Sequence, residues 1–168
     1  MSFKRSSDTI AISFSVTETA PATFTQQQIN LSLNPLDNEI FVVLAVDLNV
    51  DSPDAIAGVN TSSRAGVSST SLAAMGKLSD SNVLAVAQEA IRAAGFVDGG
   101  VGFSRTADES YTGMVDYIGI ISTNNFFVQV QGANNPGTKE VAGRLWGYRA
   151  TANAATYAAL VQSEVLSA

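Results

Sequence analysis

The 168-residue chain contains neither cysteine nor histidine. Their absence removes disulfide frameworks, thiolate nucleophiles, the common zinc ligands and the one side chain that ordinarily titrates near neutral pH. The many serines therefore lack their conventional base, and no Gly-x-Ser-x-Gly elbow occurs. Charge is also scarce: Asp, Glu, Lys and Arg together make up 14% of the residues, against about 25% in ordinary globular domains. Fifteen acidic residues against nine basic ones leave a net charge of −6, which argues against broad attraction to phosphate backbones. Lys4 and Arg5, close to Asp8, fall short of a nucleic-acid-binding cluster. No run approaches the roughly 18 apolar residues of a membrane span. The start MSFKRSSDT has no signal-peptide apolar core, so the chain is expected to be made and folded in the cytosol.

What is present is mostly strand pattern. The length suits one domain over residues 1–168, able to bury a core without staples. From Thr9 to Val16, Ile10, Ile12, Phe14 and Val16 alternate with Ala11, Ser13 and Ser15, as on a half-buried strand. Phe24 begins a second, polar-rich strand running through Ile29, Leu31 and Leu33, and Asn34-Pro35-Leu36-Asp37-Asn38 is turn chemistry. A third strand runs from Glu39 to about Asp51. Its alternation places Ile40, Val42, Leu44, Val46, Leu48 and Val50 on one face, and Phe41, Val43, Ala45, Asp47, Asn49 and Asp51 on the other.

Residues 52–81, rich in small polar residues, predict long loops with a weak strand over Arg64–Leu72. Asn82–Ala94 fits a helical face through Val83, Ala87, Ala90, Ile91 and Ala94, with caps at Ser79, Asp80 or Ser81 and at Gly95. Helix is the expected form, although the same residues also alternate as a strand. Met114–Ser122 and Phe126–Gly132 predict a hairpin through Thr123-Asn124-Asn125, with Lys139–Ala150 as the third consecutive antiparallel neighbour. Residues 1–8 read as a short N-terminal arm, and residues 153–168 as a terminal helix or docking arm capped by Asn153. The fold class expected is mainly β: an antiparallel sandwich, with a jelly roll as the leading topology and one or two short helices.

The stretch DLNVDSPD, residues 47–54, supplies oxygen-bearing side chains at alternate positions. An EF-hand loop needs glycine sixth and glutamate twelfth, where this chain has Ser52 and Gly58, and it follows a helix rather than a strand. The strand-end reading of Asp47, Asn49 and Asp51 comes first. A looser calcium site on Asp47, Asn49, Asp51 and Asp54 is the one candidate metal centre, and no other cofactor is expected. Gly95, Gly99, Gly100 and Gly102 lack phosphate-loop spacing and read as turns. Nothing fixes the separation of Asp108, Glu109 and Asp116, so no catalytic residue is assigned and no enzyme is expected. Phe126, Phe127, Trp146 and Tyr148 suit a core or an interface better than a ligand site.

With FFVQVQG and RLWGYRA as its clearest strands, a charge-poor composition, a short basic start and termini able to reach a neighbour, the chain resembles small single-jelly-roll coat proteins of viruses or phages. The resemblance implies a virion protein that self-assembles into a capsid or tubular shell, with copies of itself or a second structural protein as partners. Phe3, Trp146, Tyr148, Tyr157 and Leu160 are the expected contact residues. The alternatives are a lectin-like or cation-dependent binding module and a phage decoration or tail accessory protein.

Overall fold

The computed structural model describes residues 3–95, 102–105, 109–111 and 115–168. Its strands are β1 (Phe3–Arg5), β2 (Ile10–Thr17), β3 (Thr25–Asn30), β4 (Glu39–Val50), β5 (Thr61–Ser68), β6 (Val83–Arg92), β7 (Gly102–Arg105), β8 (Glu109–Tyr111), β9 (Gly119–Ile121), β10 (Asn125–Ala133) and β11 (Glu140–Ala152). A 3-10 turn spans Pro35–Asp37, and helix α1 covers Ala154–Leu166. No helix among the described residues is long and apolar enough to cross a membrane.

Two antiparallel sheets face each other. In the first, β11 lies between β4 and an edge made of β1 and β2, while β8 and β9 flank the far side of β4. The second runs β3-β10-β5-β6-β7. The pairing is nested: β2 with β11, β3 with β10, β4 with β8 and β9, β5 with β6. Successive pairs alternate between sheets, as in a long hairpin rolled around a core, which is a jelly roll. Between the sheets Phe14 meets Phe126 edge-on with ring centroids 6.0 Å apart, among Val16, Leu31, Leu33, Phe41, Val67, Val128 and Leu145.

Three expectations are corrected by this arrangement. Asn82–Ala94 is not a helix: Val83–Arg92 is extended, paired with β5 on one side and β7 on the other. The β5 ladder runs along most of the strand and β7 pairs with Glu89–Arg92, and that tertiary gain outweighs the helix preference of its alanines. The expected hairpin is also absent, because β9 pairs with β4 while β10 pairs with β3 and β5. Thr123-Asn124 is thus a crossing between sheets. Ile121 and Phe126, both fully buried, belong to the same core rather than to neighbouring strands of one sheet.

The third correction concerns β4. The register against β11 shifts between Trp146 and Gly147: Ala45 pairs with Trp146 and Val43 with Gly147, leaving Leu44 unpaired. One extra residue in a strand reverses which side chains face inward. Phe41 and Val43 therefore share the main core with Val46, Leu48 and Val50. Ile40 and Val42 point the other way, into a second cluster with Ala150 and Ala152. Helix α1 covers that cluster, started by Asn153, whose side chain accepts the Thr156 N–H at 2.8 Å.

Candidate functional site

The acidic stretch begins on β4 and leaves it at one end of the sandwich. Asp47 and Asn49 are exposed while Val46, Leu48 and Val50 are buried. Alternate residues on a strand stand about 6.8 Å apart, so Asp47 and Asp51 are separated by about 13 Å along it. Ligands within 2.3–2.6 Å of one calcium ion cannot all come from such a row. Asp51 is engaged with Glu140: its N–H donates to the Glu140 carbonyl at 2.9 Å, and its carboxylate accepts the Glu140 N–H at 3.0 Å. Among the described residues no group of three or more Asp or Glu side chains is placed to hold a metal ion, so the expected four-residue centre is not assembled.

Asp54 has a different task. Its N–H donates to Asn135 Oδ1 at 2.9 Å, and its carbonyl accepts the Thr61 hydroxyl at 2.6 Å. The Lys139 ammonium donates to Asp54 Oδ1 at 3.0 Å and to the Ser52 carbonyl at 2.9 Å. Lys139 is 8% exposed. The positive charge facing Asp54 is thus supplied by the chain itself. Next to it, buried Glu18 accepts the N–H groups of Thr23, Gly132 and Lys139 at 2.9, 3.0 and 2.8 Å. One carboxylate thereby ties the exits of β2 and β10 to the entry of β11.

Asp54→Ala is expected to lower stability by about 2 kcal/mol, because a mostly buried ammonium keeps only one carbonyl partner. Urea unfolding measures it. A loss below about 0.5 kcal/mol, the range of ordinary surface changes, would remove the ion pair from the stability of this end.

On the outer face of the first sheet, Asp47 and Asn49 meet β11. Together with Ser13, Arg144 and Trp146 they line an open depression of about 360 Å³. Asp47 lies directly opposite Arg144 in the ladder, and Trp146 is half-buried. This is where the predicted metal and aromatic residues do come together, as a carboxylate, an amide, a guanidinium and an indole on one shallow surface.

The other expected contact residues are used within the chain itself. Phe3, Tyr148, Tyr157 and Leu160 all pack against the cluster beneath α1, with Phe3 edge-on to Tyr117 at 6.1 Å and the Arg5 guanidinium 4.4 Å above the Tyr148 ring. The tail forms the terminal helix, α1, and Phe3–Arg5 of the expected N-terminal arm forms β1, paired with β11. Asp116 is exposed, whereas Gly99, Gly100 and Asp108 lie outside the described residues.

Sequence reasoning passed over Glu18, Lys139 and Glu164. Glu164, 7% exposed on α1, accepts both the N–H and hydroxyl of Ser122, at 2.8 and 2.5 Å, and both the N–H and hydroxyl of Thr123, at 3.3 and 2.5 Å. A lone glutamate in a tail carries no periodic signal of such a role. No protein-family model matches the chain, and a search of curated proteins finds no match to it.

Proposed function

We propose that this protein is a structural subunit that assembles with copies of itself into a capsid or tubular shell, and that its place is the virion. The observation that carries the reading is how its exposed apolar side chains are distributed over the jelly roll. Leu36 is 90% exposed on the β3–β4 turn and Phe103 80% exposed on β7. Leu78 on the β5–β6 connection, Val115 after β8, and Val165 and Leu166 at the end of α1 are exposed as well. They sit on five separate segments of the chain. A shell or tube needs more than one contact surface per subunit, and symmetry multiplies modest contacts into a stable whole. Low charge density limits repulsion between the copies.

Light scattering across a concentration and salt series, with negative-stain imaging of large species, tests this. Regular shells or tubes are expected. A chain that remains monomeric at high concentration would replace the reading with that of an accessory component, which joins a lattice only when a second structural protein is supplied.

The depression at Asp47, Asn49, Arg144 and Trp146 favours a second reading, a lectin-like module. An aromatic platform beside hydrogen-bonding polar groups suits a sugar ring. A glycan screen in which Trp146→Ala abolishes a binding signal would support it.

A further inference from the structure

β2 is an open sheet edge with unusual composition. It is held by β11 along one side, and among the described residues no strand pairs with its other side. Its sequence, IAISFSVT, has eight residues without a charge or a proline. Natural edges are normally blunted by lysine, proline, a bulge or shortness. β2 has none of these along its length, and its ladder to β11 runs without a register shift. The other edge strands are shorter: β3 has six residues, β7 four, and β8 and β9 three each.

The direction of its free groups follows from one bond. The Glu18 N–H donates to the Lys139 carbonyl at 2.9 Å, in register with Thr17 opposite Glu140. Hydrogen-bonded pairs alternate along an antiparallel ladder. The even-numbered residues therefore direct their backbone groups at β11, and Ala11, Ser13, Ser15 and Thr17 direct theirs outward.

We propose that two copies of this chain join along β2 in antiparallel pairing about a two-fold axis through Phe14, making one continuous sheet from two subunits. The proposal rests on the self-assembly reading and names one of its contacts. In this register Ala11 faces Thr17 of the second copy and Ser13 faces Ser15. Each outward pair exchanges two hydrogen bonds, which uses every free backbone group of the strand. On the inner face Ile12 lies opposite Val16, and Phe14 opposite Phe14. Apolar side chains thus meet apolar ones, small polar ones meet small polar ones, and no charge opposes a like charge. Ile10 and Ile12, only partly buried in the single subunit, gain cover.

Hydrogen exchange on the full-length chain at low and high concentration tests the pairing. The amides of Ala11, Ser13, Ser15 and Thr17 are expected to become protected as concentration rises, while the even-numbered amides are protected throughout. S13K/S15K places lysines opposite each other twice across the axis and is expected to weaken association about a hundredfold. S13E/S15K puts opposite charges at the same places, each beside a compatible neighbour, Arg144 and Glu140, and is expected to restore association. Circular dichroism checks that both variants keep the fold. Unprotected odd-numbered amides in large particles would overturn the β2 contact and leave the self-assembly reading standing. A monomer at every concentration would overturn both.

Discussion

Gly147→Ala is expected to cost more than about 4 kcal/mol, placing it among the exceptional single substitutions. At position 147 a Cβ would overlap the Val42 carbonyl oxygen and the Phe41 ring. Neither can yield easily: Phe41 is 1% exposed in the main core, and Val42 is fully buried on the other face. Gly147 also stands where the β4–β11 register shifts, so moving either strand disturbs the step that assigns Phe41 and Val43 to one core and Ile40 and Val42 to the other. For a chain of this size each kcal/mol shifts Tm by about 2–4 °C, so a fall of more than about 8 °C is expected by calorimetry. Gly137 has no atom within 4 Å of an added Cβ, and Gly137→Ala is expected to stay within about 0.5 kcal/mol. Equal effects from both substitutions would show that the close approach at Gly147 is not what holds the register.

Glu164→Ala is expected to cost about 3 kcal/mol and to act on one element first. Four donors from Ser122 and Thr123 converge on this carboxylate, and donors that lose a buried acceptor keep their desolvation penalty. The connection between the two sheets is thereby fastened to α1, which in turn covers Ile40, Val42, Ala150 and Ala152. Hydrogen exchange should accelerate through Ala154–Leu166 before it does in β4 or β11. Glu164→Gln keeps one oxygen acceptor but turns an amide donor toward other donors, so it should recover less than half of the loss. Unchanged helix protection in the alanine variant would mean that apolar packing by Tyr157 and Leu160 is sufficient to seat α1.

Much of the sandwich was legible because strand alternation is a local pattern. Phe14 and Val16 are buried while Ser13 and Ser15 are exposed, as the sequence of β2 predicts. β4 and α1 also appear close to their expected bounds. The candidate site was legible only in fragments. The alternation of Asp47, Asn49 and Asp51 correctly indicated a strand end, but nothing local showed that Asp54 would face a lysine 85 positions away. Nor could it show that Arg144 and Trp146 would arrive beside Asp47 and Asn49, since that depends on which strand lies next to β4.

The sequence by itself determined a mainly antiparallel β chain with a capped terminal helix, because period-two burial, turn residues and an Asn cap act over a few neighbours. Only the tertiary structure decided that Val83–Arg92 is extended, that β9 and β10 belong to different sheets, and that β4 changes faces at Leu44. Each of those outcomes turns on long-range contact: a strand completes its hydrogen bonds with whatever lies alongside, and an apolar face turns outward only when a distant element such as α1 covers it.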